Sequence, residues 1–277
     1  MPPNKLHQAL VVENRNAGRG YYRLVLKAPL AAKAARPGQF VMLRVSDSMD
    51  PILARPFGIS GVLPRGGIEA YYRVVGRGTS ILTNVGAGQV LTFHGPLGNG
   101  FPMPGRGVTP IFVAGGSGFP PLLYLSRAVH RQSHLFCGAR DRSCLLSNGI
   151  ILQFKKTGAQ THIATEDGSA GTRGRVTDLL SDFLFQHNAD KKSIIYACGP
   201  RPMLAAVSRL ASERSVPCYV SMEERMACGL GVCMGCSVGV EGGGYRRVCK
   251  EGPVFNAREI EWKEHVVVPV NNVRRET

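Results

Sequence analysis

The chain has 277 residues, 44% of them hydrophobic, a length that suits roughly two domains with ordinary packed cores. Its net charge of +15 invites a nucleic-acid reading, but the excess is spread over residues 1–105 (12 basic, 4 acidic) and 106–220 (14 and 7), while 221–277 balance at 8 and 8. No dense Lys/Arg run with interleaved aromatics occurs, so no nucleic-acid groove is expected, and the charge suits anionic cofactors or an acidic partner better. The start, Met1-Pro2-Pro3-Asn4-Lys5, has no apolar h-region, and no uncharged apolar run is long enough to cross a bilayer. The expectation is therefore a cytoplasmic location without membrane insertion, where the eight cysteines are cluster ligands or core residues rather than disulfides.

In chain order, period-two alternation runs over 22–26, 40–45, 68–75 and 90–94, with turns such as Arg36-Pro37-Gly38 and Gly86-Ala87-Gly88 between. This predicts a small antiparallel β-barrel. Two pieces stand out from it. Arg55-Pro56-Phe57-Gly58 follows what reads as a strand end. Tyr71-Tyr72-Arg73 runs into Gly76-Arg77-Gly78-Thr79, a glycine turn opening a short helix whose free amides suit an anion. In this order on a barrel they resemble the FAD-binding signature of the ferredoxin reductase superfamily. The resemblance implies that Arg55 contacts the flavin pyrophosphate and that Pro56, Phe57 and Gly58 line the isoalloxazine. Tyr71, Tyr72, Arg73, Gly78 and Thr79 complete the expected FAD contacts. The superfamily's usual serine is Gly58 here, so Ser60 or a backbone N–H is expected to supply the missing hydrogen bond.

A Gly- and Pro-rich stretch from 94 to 110 reads as a linker. Beyond it, strands at 111–114, 134–138, 161–164 and 193–197 alternate with helices at 121–131, 176–185 and 203–210, which predicts a parallel α/β sheet. The first strand enters Gly115-Gly116-Ser117-Gly118, where glycines let a dinucleotide pyrophosphate approach a helix N-terminus. Proline stands where the last glycine of G-x-G-x-x-G would be. A later strand ends in Cys198-Gly199-Pro200, on the edge where such sheets bind ligands. In the ferredoxin reductase superfamily this motif meets the nicotinamide, which implies NAD contacts at Cys198, Gly199 and Pro200. The loop Thr165-Glu166-Asp167-Gly168-Ser169 lies on the same edge, as a plain connection or as a wall of the nicotinamide cleft. After the second strand, Arg140 would suit a 2′-phosphate, whereas Asp141 would repel it and hydrogen-bond a ribose.

Cys228, Cys233, Cys236 and Cys249 stand at C-x4-C-x2-C-x12-C, and the first three follow the plant-type [2Fe-2S] spacing. Gly229, Gly231 and Gly235 are expected to take positive φ and let the backbone wrap the cluster with its amides aimed at sulfur. A structural zinc site is the alternative, although zinc cysteines usually come as two short-spaced pairs. The histidines show no metal-ligand spacing, and no acid–base pair or nucleophile stands out, so no catalytic side chain is assigned.

Met222-Glu223-Glu224-Arg225-Met226 before the cysteine loop, and Val248-Cys249 with Gly252-Pro253-Val254-Phe255 after it, are similar to the electron transfer subunit family of type B dihydroorotate dehydrogenase. The resemblance implies FAD, a [2Fe-2S] cluster, NAD as substrate, and an FMN-containing dihydroorotate dehydrogenase catalytic subunit as partner in a heterotetramer. Electrons from dihydroorotate would pass singly through the cluster to FAD and leave as hydride, since only a flavin interconverts the two. The expected organisation is an FAD-binding β-barrel (1–105), an NAD-binding α/β domain (106–220) and a small cluster-binding segment (221–277), with no role assigned to the tail 262–277. Two rivals remain: a flavin and iron–sulfur NAD(P)H reductase subunit of a hydrogenase, ferredoxin or bifurcating complex, and a non-enzymatic zinc-bearing binding module.

Overall fold

The computed structural model describes residues 6–46, 48, 50–187 and 192–262; residues 263–277, the end of the expected cluster segment, lie outside the described residues. Strands β1 (Leu6–Gly18), β2 (Tyr21–Lys27), β3 (Phe40–Leu43), β4 (Arg55–Leu63), β5 (Gly67–Arg73) and β6 (Val90–Leu97) close a barrel in the order β1-β2-β5-β4-β3-β6. Helices α1 (Pro29–Ala34) and α2 (Arg77–Leu82) bridge its strands. Alternation sorts the side chains. On β5, Ile68, Ala70 and Tyr72 pack in the barrel core, while Tyr71 on the other face joins the core of the second sheet. Arg55 begins β4 rather than following a strand, with Pro56 opposite Met42 of β3, so the expected turn is a strand entry.

The second sheet is built from β7 (Thr109–Gly115), α3 (Phe119–Val129), β8 (Ser133–Ala139), α4 (Asn148–Lys155), β9 (Ala159–Thr165), β10 (Thr172–Arg173), α5 (Val176–Gln186), β11 (Ser193–Cys198), α6 (Arg201–Glu213) and β12 (Cys218–Ser221). Then come the hairpin β13 (Ser237–Gly239) and β14 (Tyr245–Arg247), and β15 (Val254–Asn256). The strand order is β10-β9-β8-β7-β11-β12-β15, parallel except at β15, which runs antiparallel to β12. From β7 the chain moves one way to β8, β9 and β10, then crosses back to β11 and β12. That reversal leaves a crevice beyond the C-terminal ends of β7 and β11, where open α/β sheets bind ligands.

Barrel, sheet and cysteine segment share one core: Phe40, Met42 and Leu97 pack with Ile111, Ile195, Cys236 and Val248. Asn99, just past β6, pins the segment to the barrel, donating from its backbone to Gly252 O (2.6 Å) and from its side chain to Glu251 O (2.8 Å). Among the described residues, no helix is long and apolar enough to cross a membrane.

Candidate cofactor site

A cavity of about 340 Å³ opens where barrel, sheet and cysteine segment meet. The barrel contributes Arg55, Pro56, Phe57, Gly58, Tyr71, Tyr72, Arg73 and Thr79; the sheet contributes Ser117 and Cys198; the segment contributes Met222, Glu223, Glu224, Met226 and Pro253. Gly78 is not on the wall. It lies under Arg55, whose Nε would be 2.5 Å from a Cβ at that position, so only glycine lets the guanidinium cross the turn. Thr79 Oγ1 fixes the turn by accepting from the N–H groups of Val75 (3.0 Å) and Gly76 (3.2 Å). An arginine fixed beside such a turn suits a pyrophosphate.

Gly58 has a packing reason. A Cβ there would lie 3.3 Å from Pro121 Cδ and 3.8 Å from Pro120 Cβ, on the first turn of α3. The missing serine and the prolines that replace a dinucleotide-loop glycine are thus one contact between barrel and sheet. Ser60 does not take the serine's place, because it is fully buried and its hydroxyl donates to Glu69 at 3.2 Å.

The sheet motifs meet backbone to backbone. A Cβ on Gly118 would fall 2.3 Å from Cys198 O, so glycine there lets the loop after β7 lie against the loop after β11. The Cys198 thiol is 2% exposed and 4.0 Å from Glu223 Oε1, and burial pushes it well above its usual range. Burial likewise raises the Glu223 carboxyl, although the residue keeps an accessible face as part of the cavity wall. Glu223 is a wall residue that sequence reasoning had seen only as part of a motif.

A second cavity, of about 490 Å³, adjoins the first, and Arg73 borders both. Gly115, Gly116 and Pro200 line it, along with Arg140, Glu166, Arg175 and Met203. Gly118 and Gly199 pack behind it rather than on its wall. Asp141, the expected ribose partner, is absent from the wall: its Oδ1 accepts from Ser143 N–H (2.7 Å), Ser143 Oγ (2.5 Å) and Cys144 N–H (3.1 Å). An aspartate that caps its own turn leaves that oxygen little capacity for a ligand.

The four cysteines lie together as two pairs. A backbone N–H of one cysteine meets the sulfur of another in each pair, Cys233 with Cys228 and Cys249 with Cys236. Among the described residues, no three His, Cys, Asp or Glu side chains form a preformed metal-ligand group, so the cysteine spacing decides between a [2Fe-2S] cluster and zinc. Leu230 N–H (3.4 Å) and Cys233 N–H (3.5 Å) point at the Cys228 sulfur, and Cys249 N–H (3.4 Å) at that of Cys236. Burial raises the Cys228 thiol, but the amides of Cys233, Leu230 and Val232 outweigh it and hold the thiol at about 6. Gly229 and Gly231 have positive φ as expected; in the x2 interval Met234 takes it instead of Gly235. Arg247 braces the loop, donating to Gly231 O at 2.6 Å and pairing with Glu251, whose carboxyl it holds at about 2.

A barrel joined to a switch-point α/β sheet at a shared cavity is the architecture of ferredoxin reductases. A chain of the solved NADH-dependent reduced ferredoxin-NADP oxidoreductase superposes with a TM-score of 0.79 at 29% identity, covering 92% of this chain and 90% of that one. The ferredoxin reductase of carbazole 1,9a-dioxygenase shares the fold at a TM-score of 0.65 and 23% identity, over 78% and 67% of the two chains. The oxidoreductase NAD-binding domain family matches residues 112–209. The class is therefore an NAD-dependent oxidoreductase subunit of ferredoxin reductase fold with an iron–sulfur segment.

The iron–sulfur cluster binding domain of dihydroorotate dehydrogenase B matches residues 223–261. The dihydroorotate dehydrogenase B (NAD(+)) electron transfer subunit of Desulforamulus reducens is 37% identical over 94% of this chain and 100% of its own length. That of Shouchella clausii is 39% identical over 90% and 96%. The chain belongs to the family of dihydroorotate dehydrogenase B electron transfer subunits.

Proposed function

We propose that the chain carries electrons from an FMN-bearing dihydroorotate dehydrogenase catalytic subunit to NAD+, as one component of a cytoplasmic heterotetramer. The observation that supports this most is the shared cavity, whose wall combines Arg55 and Tyr72 of the barrel, Cys198 of the sheet, and Met222, Glu223, Glu224 and Met226 beside the cysteine loop. FAD in that cavity would exchange hydride with a nicotinamide and single electrons with a [2Fe-2S] cluster.

In this reading each part of the chain has a defined task. Arg55, above the Thr79-pinned turn, holds the flavin pyrophosphate, and Pro56, Phe57, Gly58, Tyr71, Tyr72 and Arg73 wall the cavity. Gly115, Gly116 and Ser117 leave room for the dinucleotide, with Gly118, Gly199 and Pro200 setting the approach of the loop that carries Cys198. Cys198 is an inert wall residue, since burial keeps its thiol protonated. Cys228, Cys233, Cys236 and Cys249 hold the cluster, and the amides around Cys228 favour thiolate ligands and tune potential. The exposure of Cys233, Val232 and Met234 supports this face of the loop as the one that would meet the catalytic subunit. No general acid or base is needed: the chain's work is alignment of cofactors and exclusion of water.

The test is reconstitution. Protein produced with iron and flavin available should show both flavin and iron–sulfur absorption, and with the FMN-bearing catalytic subunit should support NAD+ reduction by dihydroorotate. A stable partnership with a hydrogenase or a bifurcating enzyme, and none with the dihydroorotate-oxidising subunit, would replace this reading.

A further inference from the structure

The loop that follows β9 does more than connect. Glu166 N–H donates to Ala139 O (3.1 Å) and Asp167 N–H to Arg140 O (3.2 Å), while Arg142 N–H donates to Ser169 Oγ (2.8 Å). These bonds zip residues 166–169 to the turn after β8, so that Glu166 and Arg140 line the same dinucleotide cavity. Of the three carboxylates in this region, two are engaged locally. Asp141 caps its own turn, and Asp167 Oδ1 accepts from Ser169 N–H (2.9 Å) and Ser169 Oγ (2.6 Å). Glu166 is the one of the three on the cavity wall.

We propose that Glu166 reads the adenosine ribose of the dinucleotide, accepting from its hydroxyls and turning away a 2′-phosphate. The inference rests on the NAD-dependent function proposed above and names the residue responsible for that choice. Its position fits: Gly115 and Gly116, the turn expected to take the pyrophosphate, line the same cavity, and Glu166 follows the end of β9, two strands away from β7 in the sheet. The surrounding charge makes the residue decisive. Arg73, Arg140 and Arg175 line this cavity, and without an opposing carboxylate they would welcome a further phosphate. A carboxylate accepts a ribose O–H and repels a phosphate, so one side chain supplies both the attraction and the rejection.

The experiment compares NADH and NADPH as reductants of the FAD in the holoprotein, in wild type and in Glu166→Gln, Glu166→Asp and Asp141→Asn. Glu166→Gln should lower kcat/KM for NADH by about tenfold, the scale of one charge-assisted hydrogen bond, and raise it for NADPH. Glu166→Asp, which keeps the charge, should still reject NADPH. Asp141→Asn should keep the wild-type preference. Calorimetric binding of ADP-ribose and of its 2′-phosphate gives the same comparison without the flavin. Selectivity in Glu166→Gln within about twofold of wild type, or a shift seen only in Asp141→Asn, would overturn the proposal. Failure of both nucleotides to reduce the unmutated protein counts instead against the NAD-dependent function, and the calorimetric ratio then decides the role of Glu166 alone.

Discussion

The Arg127 guanidinium, on α3 beside the sheet, donates to the fully buried carboxylate of Glu69 on barrel strand β5. Arg23 completes the group from β2, with its Nε 2.5 Å from the same carboxylate, and Arg127 also donates to Ser60 O at 3.0 Å. A buried charge with its partners spans the join on which cavity geometry depends. Arg127→Met should cost about 3–5 kcal/mol, because it strips a partner from a carboxylate that cannot reach water. Urea unfolding measures this, and the double variant Glu69→Leu/Arg127→Met should lose clearly less than the single one.

The Gly58–Pro121 contact makes a second prediction. Restoring the superfamily serine as Gly58→Ser places a Cβ 3.3 Å from Pro121 Cδ. The start of α3 must then shift, at a cost of about 1–3 kcal/mol. Pro121→Ala in the same chain should recover most of that loss in thermal unfolding, whereas a neutral single variant would show that α3 yields freely.

Acid should weaken the sheet through a histidine pair. His134 Nδ1 lies 3.1 Å from His162 Nε2, and burial, with smaller contributions from His162 and His187, lowers the His134 pKa to about 4. The unfolded imidazole titrates near 6.5, so the unfolded chain binds a proton that the native chain refuses. Stability should therefore be complete above about 6.5, fall as pH drops toward 4, and level off below it. His134 is only half-buried, so after solvent screening the loss is about 1–2 kcal/mol. His134→Phe should flatten this part of the pH dependence in urea titrations at several pH values; an unchanged slope would contradict it.

Features encoded in a short stretch were legible in the sequence, and those made by distant chain were not. The spacing of Cys228, Cys233 and Cys236 carries the cluster loop because three of its ligands sit on one turn-rich segment. The barrel motif from Arg55 and the loop at Gly115 were visible for the same reason. Strand β1 was missed because Leu6, Leu10 and Val12 face outward and blur the alternation, and β4 because Pro56, Gly58 and Gly61 read as a turn. Helix α4 is too short for its pattern to stand out. Asp141 and Glu166 are equally acidic in sequence, and only the turn that consumes the Asp141 oxygen separates them. Glu223 became a wall residue only when the cysteine segment folded back against the barrel. Strand β15 was read only as part of a family motif, because its pairing partner β12 lies more than thirty residues earlier in the chain.

The division of labour between the cysteine loop and the shared cavity is tested most directly by Cys228→Ala in the FAD-loaded, folded protein. Cys228 lies outside the wall of that cavity, so stopped-flow reduction of FAD by NADH should keep a rate close to wild type. Electron exchange with the FMN-bearing catalytic subunit should be abolished in the same preparation. Loss of the NADH reaction in a folded, FAD-containing variant, or undiminished exchange with the partner, would contradict the account.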